Sequence, residues 1–195
     1  MRNVLMVCDL EATCWDSREQ EQTVEMMEII EIGAAKADFD GNILDCFSCF
    51  IRPTDNPVLS GFCTELTGIR QADVDAARPF PEAIAEFNAW LANHQWRAWA
   101  SWGNYDRRQL EAERSRHGVT PGILETPHIN LKRPWRRTTK HQRQGLRAAL
   151  GVHGYDFEGT AHRALDDTLN ICRLLPHIDR QLMLLELEQA ERAQS

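Results

Sequence analysis

The sequence lacks both an apolar run long enough to cross a membrane and an excess of positive charge. The early apolar run in "MRNVLMVCDLEA" is interrupted by Asp9, which is too soon for a signal peptide. The formal net charge is −7, so the chain is not a polycation. Any nucleic acid would have to be bound through a local basic patch or through metal ions. We therefore expect a cytoplasmic protein that does not bind membranes.

A second Cys-x-x-Cys or Cys-x-x-His motif at zinc-finger spacing is also absent, although the chain has six cysteines. Cys46 and Cys49 form one Cys-x-x-Cys in "ILDCFSCFI", but a structural zinc site needs a second pair of ligands. The segment alternates like a β-strand, on which residues three apart point to opposite faces. We therefore expect reduced thiols buried in a strand rather than a metal site.

The chain length of 195 residues is sufficient for one well-packed core. Apolar and alternating segments predict strands at 4–8, 29–40, 43–51, 96–102 and 128–131. Helical periodicity and capping residues predict helices at 58–69, 79–94, 104–118, 141–151 and from about 160 onward. This order predicts an α/β fold with a central mixed five-stranded sheet flanked by helices. The expected domain covers 1–180, and 181–195 is expected to be a helix end and a polar tail.

Acidic residues follow two of these predicted strands. Asp9 and Glu11 lie two apart at the end of the first strand, so both side chains leave the same face of an extended chain. Asp106 follows "AWASW" (98–102) in the first turn of a helix, where an acid also complements the helix dipole. Open α/β sheets gather their active sites at the carboxyl ends of strands. We therefore predict that these three carboxylates meet there.

The stretch "HRALDD" (162–167) adds a histidine and two adjacent aspartates. Steps of helical spacing from Asp167 reach only apolar residues, whereas the same steps from Asp166 reach only polar ones. We expect Asp167 to continue the buried face of a helix, where a carboxylate needs a partner or a metal ion. Asp166 is expected to face water. His162 is out of line with the buried face, which predicts a position on the loop entering the helix.

Together these groups predict metal-dependent phosphodiester hydrolysis. Four carboxylates suit hard divalent cations such as Mg²⁺ or Mn²⁺, and an all-oxygen ligand set does not suit zinc. Two such ions clamp the attacking and leaving oxygens of a phosphodiester. A histidine beside them would take the proton from the attacking water.

The motifs "DLEATCW" (9–15), "NYDRRQL" (104–110) and "HRALDD" (162–167) resemble those of the DEDDh 3′–5′ exonucleases in order and spacing. This family belongs to the ribonuclease H-like superfamily and includes DnaQ-type proofreading subunits. The segments 59–91, "HINLK" and "FEGTAHRALDDTLNICRLL" are similar to the branch of the histone-mRNA 3′-end exonucleases and their RNA-interference-regulating relatives. The resemblance covers residues 4–178 and implies a ribonuclease H-like fold.

The resemblance also implies roles for individual residues. Two divalent ions, Mg²⁺ or Mn²⁺, would be held by Asp9, Glu11, Asp106 and Asp167. His162 would be the general base. The 3′-terminal nucleotide would pack against Phe62, Leu66 and Tyr105, and the backbone at Glu11, Ala12 and Thr13 would hold its sugar hydroxyl. The product would be a 5′-nucleoside monophosphate from a free 3′ hydroxyl end, with RNA favoured over DNA.

The segment between Glu125 and Asp156 contains no acidic residue but many basic ones, namely Lys132, Arg133, Arg136, Arg137, Lys140, Arg143 and Arg147. Trp135 stands among them, and an aromatic ring stacks well on an unpaired base. A solvated cationic helix face would give the same pattern, but we favour a track for the substrate backbone. Charge reversal at Arg136 and Arg137 should then weaken substrate binding and leave metal affinity unchanged.

Two other functions remain open on the sequence alone. A ribonuclease H-type endonuclease would share the fold without needing a free 3′ end. A nucleic-acid-binding or partner-binding module would keep the fold without turnover, although all five reactive side chains are present.

Overall fold

Six strands form one mixed sheet in the computed structural model, which describes residues 4–18, 22–142 and 144–194. The strands are β1 (Val4–Ala12), β2 (Ile29–Asp38), β3 (Ile43–Arg52), β4 (Arg78–Pro79), β5 (Ala98–Ser101) and β6 (His128–Asn130). Their order across the sheet is β4-β3-β2-β1-β5-β6. The first three are antiparallel neighbours, whereas β5 and β6 run parallel to β1. The predicted α/β mixed sheet is confirmed. Only the two-residue edge strand β4 was missed, because it is too short to show a pattern.

The described residues also form eight α-helices. These are α1 (Gly61–Thr67), α2 (Gln71–Asp75), α3 (Phe80–Ala92), α4 (Tyr105–His117), α5 (Lys132–Thr139), α6 (Leu146–Val152), α7 (Ala164–Cys172) and α8 (Arg180–Gln194). The sequence prediction for 141–151 was partly wrong, because the helix begins only at Leu146, and α5 was not predicted. None of the helices is long and apolar enough to span a bilayer.

The core has two main layers, one on each face of the sheet, and β1 contributes to both. Leu5 and Val7 pack with helices α5 to α8, whereas Met6 and Cys8 pack with α3 and α4. This explains why β1 begins as a continuous apolar run rather than an alternating one. Residues of odd number on β1 therefore face the side of the sheet on which α7 lies.

Helix α7 approaches β2 at Gly33 with no room for a side chain. A Cβ atom at this position would lie 2.2 Å from the backbone of Ala164. The Thr168 hydroxyl donates a hydrogen bond of 2.9 Å to the Gly33 carbonyl oxygen. The close contact brings the first turn of α7 directly onto the sheet, beside the carboxyl end of β1.

The end of the chain and the Cys-x-x-Cys segment differ from their predictions. The predicted continuous last helix is broken after Cys172, and a separate α8 buries Met183 and Leu187 in the core. Cys46 is exposed and Cys49 is half-buried, so the expected burial was wrong, because much of β3 faces solvent. Both residues lie on a strand, as predicted, and both thiols are free.

Candidate active site

The carboxyl half of β1 carries two acidic residues on the face that meets α7. Asp9 pairs with Gly33 and Glu11 pairs with Glu31 in the register of β1 with β2. Asp167, in the first turn of α7, completes the group. One carboxylate oxygen from each of Asp9, Glu11 and Asp167 lies within 4.8 Å of the others. The structure therefore brings together acids that lie more than 150 residues apart in the chain.

Asp106, in the first turn of α4, is buried beside this group. Burial raises the pKa of Asp106 to about 6, and hydrogen bonds from the backbone and from Ser101 oppose the rise. Burial, Asp106 and Glu11 raise the pKa of Asp9 well above its ordinary value. Burial and the charge of Asp167 raise the pKa of Glu11 to about 9. Without a cation, the carboxyl group of Glu11 therefore retains its proton near neutral pH.

The donor set fits hard divalent cations. All the clustered groups are carboxylates, which Mg²⁺ and Mn²⁺ prefer. Oδ2 of Asp167 is buried and has no hydrogen-bond partner among the residues that the structure describes. An unsatisfied buried carboxylate oxygen costs free energy unless a proton or a cation meets it. Together with the raised pKa values, this orphaned atom indicates a cation site.

The neighbouring Asp166 has a structural role that its sequence pattern did not predict. Its carboxylate accepts a hydrogen bond of 2.8 Å from the backbone N–H of Thr160. One helical turn later, the buried Asn170 donates to the backbone oxygens of Glu158 and Asp166. Asp166 thus remains partly exposed, as expected, whereas Asn170 on the same face of α7 is buried under the 158–160 loop.

His162 lies on the loop before α7, as predicted, and its side chain is exposed. Its backbone has φ +61°, which is rare for a residue other than glycine. Such a conformation costs about 1–3 kcal/mol and persists only where neighbouring contacts enforce it. Contacts from another part of the chain must therefore hold the loop that presents the imidazole.

That anchor is the buried carboxylate of Glu31. It accepts hydrogen bonds from Nε of Arg163 at 3.1 Å, from Nη2 of Arg163 at 2.9 Å and from the backbone N–H of Ala164 at 3.1 Å. Arg163 at the end of the loop and Ala164 at the start of α7 are thus both bonded to Glu31, near the start of β2. Sequence reasoning missed Glu31, although it is the one acidic residue in the otherwise apolar "IIEIGAA".

We expect Glu31→Gln to lower kcat about 10-fold with little change in KM, because His162 loses its orientation. The measurement is steady-state turnover on a short oligonucleotide, together with its pH profile. The matched control is Glu158→Gln, which removes an exposed acid that pairs with Arg173 at 2.9 Å. Equal effects of the two substitutions, or a change confined to KM, would contradict a positioning role for Glu31.

The carboxylates and His162 surround one cavity of about 380 Å³. Among the predicted substrate contacts, the residues that also line it are Glu11, Ala12, Phe62, Leu66 and Tyr105. Thr13 does not line it. Its N–H donates to the carbonyl oxygen of Glu28 at 2.8 Å, and its hydroxyl accepts from the N–H of Glu28 at 2.9 Å. Trp102 and Leu146 also line the cavity, and the sequence pattern had not predicted either of them.

Helix α1 gives the cavity an exposed apolar wall. Phe62 is 41% exposed and Leu66 is 39% exposed, although both are large apolar residues. They flank the buried Cys63, which fixes α1 to the protein. Ser60 caps α1 by accepting from the N–H of Cys63 at 3.0 Å, and its hydroxyl donates to the carbonyl oxygen of Cys14 at 2.6 Å. The two side chains thus stand on a rigid support facing the acidic cluster.

Two arginines of the basic segment lie apart from this cavity. Arg136 and Arg137 are exposed on α5 and do not line it, and Arg137 lies 3.5 Å from Glu186. Trp135 is fully buried in the core, so the expectation that it stacks on a base was wrong. Its Nε1 donates to Nε2 of His153 at 3.1 Å. Arg143 lies outside the described residues.

Known proteins are similar to this chain in sequence. The RNase_T family model, described as exonuclease, matches residues 6–175. ERI1 exoribonuclease 2 of Xenopus laevis is 31% identical over 87% of this chain and 27% of its own length. The 3′-5′ exonuclease Snipper of Drosophila melanogaster is 32% identical over 88% of this chain and 67% of its own length. This chain thus spans under a third of the first of these relatives.

Two solved structures extend the likeness to the fold. The nuclease domain of 3′hExo, a DEDDh family member bound to rAMP, has a TM-score of 0.79 and 27% identity, over 97% of this chain and 94% of that one. A 3′-exonuclease that recognises the 3′ end of the histone mRNA stem-loop has a TM-score of 0.80 and 26% identity, over 95% of this chain and 65% of that one. The chain therefore belongs to the RNase_T exonuclease family and has the ribonuclease H-like fold of the DEDDh nucleases.

Proposed function

We propose that this chain is a metal-dependent 3′–5′ exonuclease that releases 5′-nucleoside monophosphates from single-stranded or overhanging nucleic acid, with RNA preferred over DNA. One observation carries the proposal. Four carboxylates from three elements and one exposed imidazole surround a single cavity that also has an exposed apolar wall. The similarity to exoribonucleases supports the preference for RNA.

Asp9, Glu11, Asp106 and Asp167 would hold two divalent ions, Mg²⁺ or Mn²⁺. When bound, these ions would neutralise negative charge on the phosphodiester and favour deprotonation of water. The task of the protein is to keep the carboxylates close together despite their repulsion. The continuous β1 strand fixes the first two, and the contact of α7 with Gly33 fixes Asp167 against them.

His162 supplies the general base in this proposal. Its imidazole accepts a proton from the attacking water while the water oxygen bonds to phosphorus. The bond from phosphorus to the 3′ oxygen of the upstream sugar breaks, and that oxygen takes a proton from solvent. The released nucleotide keeps its 5′ phosphate, and the shortened strand has a new 3′ hydroxyl.

Phe62, Leu66 and Tyr105 would hold the terminal nucleoside. A cavity of about 380 Å³ with exposed apolar side chains suits one nucleotide. Aromatic and aliphatic surfaces hold sugars and bases without reading sequence. This favours removal of a terminal nucleotide over cleavage within a strand.

The deciding experiment is incubation of the purified protein with 5′-labelled single-stranded RNA and DNA in Mg²⁺, Mn²⁺ or EDTA. A ladder that shortens from the 3′ end with metal, and not in EDTA, is the expected result. A matched substrate with a blocked 3′ hydroxyl should resist cleavage. Cleavage of the blocked strand would indicate the endonuclease, and binding without products in any metal would indicate the silent module.

Charge reversal at Arg136 and Arg137 is expected to weaken binding of a long oligonucleotide about 10-fold, because two cations become anions beside a polyanion. Metal affinity should stay the same, because neither residue lines the acidic cavity. Fluorescence anisotropy of a labelled strand and a Mg²⁺ titration of thermal stability measure the two quantities. A loss of both affinities, or of neither, would contradict this role.

A further inference from the structure

A second cavity, of about 530 Å³, lies between α4, β6, α5 and α8. Its lining includes three arginines and three amides, namely Arg107, Arg108, Arg133, Asn104, Asn130 and Gln189. We call it the arginine cavity. Such a group of cations and hydrogen-bond donors is notable in a chain whose net charge is −7, and it suits an anionic ligand.

The acids in the arginine cavity do not cancel its positive charge. Glu111 pairs with Arg107 at 2.9 Å. Glu186 lies 3.5 Å from a fourth arginine, Arg137, at the edge of the cavity. Three arginines of the lining therefore stand against two glutamates, and each glutamate is already paired with an arginine. His128, in the same lining, has its pKa lowered to about 3 by burial, with the charges of Arg107 and Arg133 adding to the effect. The positive charges of Arg107 and Arg133 are therefore both felt at His128 inside the cavity.

The first turn of α4 separates the arginine cavity from the active site. Tyr105 and Asp106 line the active site, whereas Asn104 and Arg107 line the arginine cavity. Asn130 joins the same boundary, because its Nδ2 donates to Oδ1 of Asn104 at 2.9 Å.

A further cation lies at this boundary. The backbone N–H of Lys132 donates to Oδ1 of Asn130 at 3.1 Å. Its ammonium group lies beside the start of α4, because a Cβ atom at Gly103 would be 3.9 Å from Nζ of Lys132. Hydrogen-bonding and cationic groups therefore extend from the start of α4 to the arginine cavity. They are Lys132, Asn130 and Asn104, followed by the arginines.

We propose that the arginine cavity binds the phosphodiester backbone of the substrate strand upstream of its 3′-terminal nucleotide. This inference rests on the proposed function, because it assumes a strand held at the acidic cluster. Each arginine would meet phosphate oxygens with its planar donors, and the amides would contact phosphate or sugar. The active-site cavity has room for one nucleotide, so the next part of the strand needs a binding surface outside it.

The test uses the double variant Arg107→Gln/Arg133→Gln, with Arg78→Gln on β4 at the opposite edge of the sheet as a matched control. Labelled single strands of about two to about twelve nucleotides are compared by anisotropy at several salt concentrations. In the wild type, affinity should rise with length. In the double variant, the longest strand should bind about 10-fold more weakly, with a salt slope reduced by about two. The control should behave like the wild type.

Hydrolysis of the p-nitrophenyl ester of thymidine 5′-monophosphate separates this inference from the proposed function. The ester is too small to reach the arginine cavity, so the double variant should hydrolyse it at the wild-type rate. Unchanged length dependence in the double variant would overturn the inference, and so would equal losses on the ester and on the long strand. A wild type that binds strands with the expected length dependence but hydrolyses nothing would overturn the proposed function alone.

Discussion

Asp9→Asn is expected to lower exonuclease turnover by about 10³-fold or more and, at the same time, to stabilise the metal-free protein. Turnover falls because Asp9 lies in the centre of the carboxylate cluster, so an amide there removes charge that two cations need. Stability rises because the buried Asp9 carboxylate lies close to Asp106, Glu11 and Asp167 and is repelled by them. The measurements are single-turnover kinetics with saturating Mg²⁺ and thermal unfolding in EDTA.

The same cluster predicts how stability changes with pH in the absence of metal. The pKa of Glu11 rises from 4.5 to about 9 on folding, and that of Asp106 rises from 3.8 to about 6. The folded protein therefore binds these protons more tightly than the unfolded chain does. The resulting stability is fully present below about pH 4 and is lost as the pH rises through the folded-state values.

We therefore expect the Tm in EDTA to fall by several degrees between about pH 5 and about pH 9, since ~1 kcal/mol corresponds to about 2–4 °C for a chain of this size. Mg²⁺ should oppose the loss at high pH, because it binds only the folded cluster. Asp9→Asn should flatten the profile. A wild-type Tm in EDTA that stays constant over this range, or that rises, would contradict the electrostatic account of the site.

His162→Asn is expected to lower turnover about 10²–10⁴-fold and to remove the pH dependence that the imidazole contributes. Asparagine is the informative replacement, because it tolerates the left-handed backbone at φ +61° but is not a base. The loop should therefore keep its shape, while the proton acceptor is lost. The measurement is kcat against pH, with binding of the product mononucleotide as the test of an intact site.

His162→Ala is the companion variant, because alanine tolerates this backbone less well. If the imidazole acts as the base, both variants should lose turnover to a similar extent, and His162→Asn should still bind the mononucleotide normally. If His162→Asn retained most of the wild-type turnover, the imidazole would not be the general base, and another group would have to accept the proton.

Short-range sequence patterns were sufficient to predict several parts of the structure. The apolar run of β1 predicted a central strand, and the spacing of Asp9 and Glu11 predicted a shared face, which the 4.8 Å cluster with Asp167 now contains. Helical periodicity selected Asp167 rather than Asp166 for that cluster. Each of these results depends on the geometry of one element, because 2-residue and 3.6-residue periods are properties of the local chain.

The same reasoning failed where a neighbour from elsewhere in the chain decided the outcome. Trp135 stands among basic residues in sequence, yet it is buried, because α5 packs its apolar face into the core. Asn170 is polar, yet it is buried and holds the 158–160 loop rather than facing water. Composition around a residue does not reveal which surface will cover it.

The sequence by itself selected the proposed catalytic set, since the motif spacing predicts four carboxylates and His162, and the structure places all five around one cavity. Only the tertiary structure revealed the groups that support the set. Glu31 and Arg163 are 132 positions apart and meet beneath the His162 loop. The arginine cavity collects side chains from α4, β6, α5 and α8. Such contacts depend on how separate helices and strands pack together, so the periodicity of the local sequence does not predict them.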